Sequence, residues 1–158
     1  MKEAKTNAMR ILDKDTISYK TYSYESGGEA VDGVTVAYKI GKDPQTVFKT
    51  LVVQGASKAY YVAVIPVAGN LDLKGFARIL NEKHVELIAV KDLLQVTGYI
   101  RGGCSPIGMK KQFPTYIDQS AADQQSIIIS GGKIGLQLEL AVCDLLGLHH
   151  ISCAPLCI

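Results

Sequence analysis

The feature that most limits the fold of this chain is its longest apolar stretch, Ala59 to Gly69. It holds two tyrosines and Pro66, and it falls far short of the ~20 residues a membrane-spanning helix needs. Ahead of it stand a second apolar run, Leu51 to Gln54, and a glycine-containing turn, Gly55 to Lys58. Two apolar runs around such a turn predict a hairpin whose second arm, Ala59 to Val67, is a buried strand. A buried strand must be covered by other elements, and the chain can supply them. Its 158 residues are 47% hydrophobic and 20% charged, ordinary for a globular domain able to bury roughly 70% of its unfolded surface.

The covering elements are mixed. Thr6 predicts the cap of a helix ending near Asp13, with Ala8, Ile11 and Leu12 at helical spacing. Ile17 to Tyr24, rich in Tyr and Thr, predicts a strand, and after Gly27-Gly28 a helix follows over Val31 to Ile40. Asp43-Pro44 has the form of a helix start, a capping Asp before a Pro at the first helical position. On that helix Val47, Phe48 and Leu51 would share one face, and Lys49 would fall on another. Leu71-Asp72 opens a further helix with Leu73, Phe76, Ala77 and Leu80 on one stripe. Val85 to Val90 predicts a strand and Lys91 to Val96 a short helix. Thr115 to Asp118, Ser126 to Ser130 and Leu136 to Leu140 predict strands, and Ala141 to Leu148 a closing helix. Helices and strands that do not alternate strictly, with at least one hairpin, indicate one α+β domain over 1–158.

Charge narrows the function classes. A net +2 is too small for a protein that grips duplex nucleic acid along many phosphates. Nucleic acid enters only as a short end, or with a partner that does the gripping. Met1-Lys2-Glu3-Ala4-Lys5 shows no export signal, so a cytoplasmic protein with reduced cysteines is expected, with no membrane partner.

The strongest local signals are two glycine-rich loops, Gly102-Gly103-Cys104-Ser105-Pro106-Ile107-Gly108 and Ser130-Gly131-Gly132-Lys133-Ile134-Gly135. Such loops either present backbone N–H groups to a ligand or merely turn the chain. N–H pairs of this kind can hold a carbonyl oxygen as it becomes an oxyanion. Neither loop binds phosphate in the manner of a P-loop, because Ile134 stands where a Ser or Thr must hold magnesium. Cys104 with His84 could be drawn as a thiol hydrolase. His149, His150, Cys153 and Cys157 could be drawn as zinc ligands, but adjacent histidines are poorly spaced for one ion. The bland alternatives are a small loop residue and an apolar tail packed on the domain. Lys49 is by itself a surface charge or a functional cation, and Tyr24 a packing aromatic.

Val47-Phe48-Lys49-Thr50-Leu51-Val52, Asn70-Leu71-Asp72-Leu73-Lys74, the stretch from Thr97-Gly98-Tyr99 through Gly102-Gly103-Cys104-Ser105-Pro106-Ile107-Gly108 to Lys111, and Ile129-Ser130-Gly131-Gly132-Lys133 together resemble the YbaK/EbsC family. These are bacterial aminoacyl-tRNA deacylases related to the editing domain of prolyl-tRNA synthetases. The resemblance runs in order from the first helix to about Leu146 and is nearest to the Cys-tRNA(Pro) deacylase branch. Two departures stand out: Val36-Ala37-Tyr38-Lys39-Ile40-Gly41 replaces a common Ala-Ala-Glu-x-Leu-Gly, and Gln137 stands where some members carry Asp.

The resemblance implies a mixed, largely antiparallel, partly barrel-like sheet surrounded by helices. It implies hydrolysis of a mischarged amino acid from the 3′ end of tRNA, with Lys49, Gly103 and Ser105 as the catalytic set. Tyr24, Thr50, Gly102, Pro106, Ser130, Gly131 and Gly132 are then expected to surround the substrate. No metal and no cofactor are implied. The expected partners are aminoacyl-tRNA and prolyl-tRNA synthetase, and DNA is not among them. Two alternatives stay open: an alanyl- or seryl-tRNA substrate, and a non-catalytic module that binds aminoacyl-tRNA or a synthetase.

Overall fold

The long apolar stretch is a strand with no solvent-facing side: Val62, Ala63, Val64 and Ile65 are each 0% exposed. In the computed structural model, which describes residues 5–148 and 150–158, everything else is arranged around it. The polar start at residues 1–4, read above as lacking an export signal, and His149 lie outside the described residues. In chain order the elements are α1 (Asn7–Lys14), β1 (Tyr19–Ser23), α2 (Gly33–Lys39), β2 (Phe48–Gly55) and β3 (Tyr60–Pro66). Then follow α3 (Leu73–Leu80), β4 (Val85–Leu87), α4 (Val90–Thr97), β5 (Thr115–Asp118), β6 (Ser126–Ser130), β7 (Leu136–Ala141), α5 (Val142–Leu146) and β8 (Ile151–Ala154).

The expected hairpin is β2–β3, paired from Phe48↔Pro66 to Gln54↔Tyr60. It forms the centre of a five-stranded sheet in the order β4-β2-β3-β5-β8, beside a three-stranded sheet in the order β1-β7-β6. All neighbours are antiparallel except β3–β5 and β5–β8. A parallel bridge, Val47↔Ile128, joins the two sheets at one end. The expected partly barrel-like sheet is thus realised as two sheets meeting at a seam, without closure.

One face of each sheet meets the other in the main core, where Phe48, Val52, Val64, Ile127, Ile129 and Leu138 pack together. On the opposite face of the larger sheet, Val53, Ala63 and Ile65 pack under Phe76 of α3 and Leu156 of the C-terminal tail. Helix α3 starts where predicted, with the Asp72 side chain accepting from the Gly75 N–H, and stops at Asn81 in the left-handed region. Among the described residues, no helix is long and apolar enough to cross a membrane.

Two readings are corrected. The helix expected after Asp43-Pro44 does not form. The Asp43 carboxylate accepts from the Gln45 N–H and its carbonyl from the Thr46 N–H, which closes a turn, and Phe48 enters β2 directly. Local capping chemistry was present, but the following Val47-Phe48-Lys49-Thr50-Leu51-Val52-Val53 run is β-branched and aromatic, and sheet pairing on both edges outweighs the cap. Lys49 therefore alternates onto the same side as Leu51, not away from it. The second correction concerns the tail. The predicted last helix ends at Leu146, and Ile151–Ala154 is an edge strand parallel to β5.

Asp118 fastens that tail. Its carboxylate, buried at 5% exposure, accepts from the N–H groups of Ser120 at 3.1 Å, Leu156 at 2.9 Å and Cys157 at 3.3 Å. Burial works to raise its carboxyl, but the contacts from Ser120, Leu156 and Cys157 outweigh this and hold it below the usual carboxylate range. A group depressed on folding contributes stability above its unfolded value, about 3.9, and loses it as pH falls through the folded value. Asp118→Ala is expected to cost about 2 kcal/mol at neutral pH. Urea titrations should show the gap from wild type narrowing below about pH 4. A gap that stays constant into acid would show that the charge contributes nothing.

Candidate active site

A cleft of about 390 Å³ opens at the seam between the two sheets. Tyr24 just beyond β1, Lys49 and Thr50 on β2, Gly102 and Ser130 all contribute to its wall. The first residues of β2 lie where the larger sheet bridges to β6 at Val47↔Ile128, so both Lys49 and Thr50 border the cleft, from opposite faces of the strand. Lys49 is half-buried, and among the described residues its ammonium has neither a hydrogen bond nor a carboxylate at ion-pair distance. Its ammonium acts on the Cys157 thiol, which burial and the Asp118 carboxylate push up to about 11 while Lys49 works the other way.

Two buried hydroxyls on this wall lack partners, and a third polar side chain lies beside them. The Tyr24 hydroxyl and the Thr50 Oγ1 are buried without a hydrogen bond. Gln137, on β7, is only 6% exposed, lines the cleft, and makes no side-chain hydrogen bond among the described residues. A buried polar atom left unsatisfied costs about 1–3 kcal/mol, so such groups call for a ligand or water. Their meeting in one cleft beside an unpaired ammonium describes a site for an anionic or carbonyl-bearing ligand.

The remaining expected residues serve a different purpose. Gly103, Ser105, Pro106, Gly131 and Gly132 do not line the cleft; Pro106 borders a separate cavity with Ile11 and Phe113. Ser105 is fully buried, and its Oγ accepts from the Ile107 N–H. The N–H of Gly103 is bonded to the Ile100 carbonyl and that of Gly131 to the Leu136 carbonyl, so neither is free for an oxyanion. The Gly132 N–H donates to Ser130 Oγ at 3.3 Å. The glycines instead allow the two loops to touch backbone to backbone: a Cβ on Gly103 would lie 2.8 Å from Lys133 Cα and 2.9 Å from Ile134 N.

The Thr97-Gly98-Tyr99 part of the motif is loop scaffolding too. Thr97 Oγ1 donates to the Leu93 carbonyl and accepts from the Tyr99 N–H, and the Tyr99 hydroxyl donates to the Ile107 carbonyl at 2.7 Å.

Cys104 does line the cleft, yet it is 7% exposed, and burial pushes its thiol up to about 12, a neutral and inert form. His84 is exposed and borders another cavity, beside Gly55 and Lys58, so no Cys104–His84 pair exists. The tail likewise forms no metal centre among the described residues, where no three His, Cys, Asp or Glu side chains cluster. Sequence reasoning missed Gln137 and Arg101 as wall residues. The departure at Gln137, where some members carry Asp, was the available signal for the first; nothing marked the second.

The contact between loops carries a prediction. Gly103→Ala must push backbone against backbone and should destabilise by about 2 kcal/mol, lowering the melting temperature by about 4–8 °C. An unchanged melting curve would show that the loops have room to spare.

Comparison with known proteins bears on the family and the fold. The family described as the aminoacyl-tRNA editing domain matches residues 6–148. A protein of Enterococcus faecalis (strain ATCC 700802 / V583), provisionally named Cys-tRNA(Pro)/Cys-tRNA(Cys) deacylase EbsC, is 46% identical over 148 residues, covering 94% of this chain and 90% of its own. Among solved structures, a provisionally assigned trans-editing enzyme for prolyl tRNA synthetase superposes with a TM-score of 0.82 at 19% identity, covering 99% of both chains. The hypothetical protein APE2540 superposes with a TM-score of 0.84 at 17% identity, covering 95% of this chain and 98% of that one. At those identities the structures speak for the fold, while the family match extends over most of the chain, residues 6–148. The chain belongs to the aminoacyl-tRNA editing domain family.

Proposed function

We propose that residues 1–158 act as one cytoplasmic editing unit that hydrolyses the ester of cysteine mischarged on tRNA, Cys-tRNA(Pro) foremost. The observation that carries this reading is the convergence of unpaired Lys49 with the unsatisfied Tyr24 and Thr50 hydroxyls and Gln137 on one cleft. The choice of cysteine rests on the name carried by the 46% identical relative.

In this reading the substrate supplies its own nucleophile. The cysteine thiol gives up its proton and its sulfur attacks the ester carbonyl. A C–S bond forms, the C–O bond to the ribose breaks, and the tRNA leaves with its hydroxyl reprotonated. Water then opens the resulting thiolactone to free cysteine. The protein's contribution is proximity and charge: it holds thiol and carbonyl together, and it stabilises the oxyanion. With the Gly103 and Gly131 N–H groups engaged elsewhere, the Tyr24 and Thr50 hydroxyls and the Lys49 ammonium are the donors assigned to that task. The neutral, buried Cys104 fits a wall residue rather than an attacking group. A net charge of +2 fits a domain that handles the aminoacylated end while prolyl-tRNA synthetase holds the rest of the tRNA.

Lys49→Ala should lower deacylation of Cys-tRNA(Pro) by about a hundredfold or more with an unchanged circular dichroism spectrum. Turnover at the wild-type rate would sink the assignment. Under the same assay Cys104→Ala should stay within about threefold of wild type, whereas a protein-thiol mechanism would abolish turnover. A panel of Cys-, Ala- and Ser-tRNA(Pro) with Cys-tRNA(Cys), run with and without the synthetase, reads the substrate directly. Fastest release of alanine or serine would overturn the cysteine reading, and no release of any would favour a binding module.

A further inference from the structure

We infer that Arg101 is a phosphate clamp at the mouth of the cleft, taking a backbone phosphate of the single-stranded RNA end while Lys49 serves the reacting ester. This rests on the deacylase reading above and adds to it a residue that fixes how the strand lies.

Three charged residues line the cleft: Asp32, Lys49 and Arg101. Asp32 is committed elsewhere. Its carboxylate caps α2, accepting from the Thr35 N–H at 3.1 Å and the Thr35 hydroxyl at 2.7 Å, and those bonds hold it below the usual carboxylate range. The cleft therefore offers two cations and one carboxylate, the latter engaged with Thr35 through both oxygens. Lys49 is half-buried on β2, while Arg101 is exposed at the lip. Among the described residues Arg101 has no hydrogen bond and no ion pair, so its guanidinium is held for nothing within the fold.

The backbone that carries it is fixed on both sides. The Gly103 N–H donates to the Ile100 carbonyl at 3.0 Å, closing a turn around Arg101 and Gly102. Gly102 adopts φ +86°, and a Cβ there would sit 3.0 Å from Ala30 Cα, so this turn is wedged against the segment leading into α2. Gly103 is wedged in the same way against Lys133 and Ile134. A flexible cation on an immobile turn loses less freedom on binding than one on a mobile loop. Guanidinium is also the better group for this ligand, because its planar fork bonds two phosphate oxygens at once. On a chain of net +2, one such contact is a large share of the electrostatic attraction.

The test compares two cysteinyl esters, one on adenosine without any phosphate and one on a CCA trinucleotide, with wild type, Arg101→Ala and Arg101→Lys. The readout is the ratio of kcat/KM for the trinucleotide ester over the adenosine ester, which partial unfolding cannot change because both substrates meet the same enzyme. The ratio should fall about tenfold in Arg101→Ala through KM and recover in part in Arg101→Lys. The salt dependence of log kcat/KM on the trinucleotide ester should shallow by about 0.7, the value for one single-strand phosphate. An unchanged ratio in Arg101→Ala overturns the clamp while leaving the deacylase reading standing. Hydrolysis of neither ester by the wild type overturns the deacylase reading and the clamp together.

Discussion

Two glycine loops pressed together through bare backbone set the geometry on which the rest of the molecule depends. Gly103 lies against Lys133 and Ile134 at separations that leave no room for a side chain, and Gly102 lies nearly as close to Ala30. One loop follows α4 and the other joins β6 to β7, so their contact ties the small sheet to the chain that leads into β5. Helix α1 clamps the pair from outside, with the Thr6 hydroxyl donating to the Gly131 carbonyl at 2.6 Å and the Asn7 amide donating to the Gly108 carbonyl at 2.7 Å. Interiors packed this closely resist deformation, so the lip of the cleft inherits the stiffness of the contact. What the glycines contribute to function is the placement of their neighbours.

That division explains which parts of the chain were legible beforehand. The buried strand, the hairpin ahead of it and the stripe of α3 follow from hydrophobic period alone, because β3 and α3 are each decided by which face meets a core. The segment around Lys49 was misread because Asp43 and Pro44 carry a local helix signal that a turn satisfies equally well. Only the partners of β2, which lie at Tyr60–Pro66 and Val85–Leu87, decide between the two, and capping rules do not see them. The C-terminal strand was illegible for a related reason. Ile151–Ala154 pairs with Thr115–Asp118, a partner more than thirty residues away, and Asp118 holds the tail with a single side chain.

The site was legible as a family pattern more than as chemistry. Lys49, Tyr24, Thr50, Gly102 and Ser130 do meet on one cleft, but Ser105 and Gly103 turn inward and hold the loop. A motif read from one sequence does not separate residues that touch a ligand from residues that shape the loop presenting them. Gln137 was marked only as a departure from the family pattern and Arg101 was not marked as a site residue, because neither breaks a local rule. A glutamine in a strand and an arginine in a loop look like solvated groups until the fold places both on one wall.

The electrostatic character of that wall constrains the chemistry open to it. Its thiol is neutral, its carboxylate is engaged at the cap of α2, and what remains is cationic, hydroxylic or amide. Such a wall can stabilise negative charge as it develops, but it holds no group poised to remove a proton or attack a carbonyl. Under the proposed function, the nucleophile that attacks the ester arrives with the substrate. A cysteinyl ester brings a thiol, while an alanyl or prolyl ester brings none. Under the proposed function, discrimination between amino acids then follows from what the substrate can do to itself, and the cleft needs rigidity more than a finely graded volume. The backbone-to-backbone loop contact supplies that rigidity, which accounts for a motif spent largely on glycines and buried loop residues instead of on catalytic side chains.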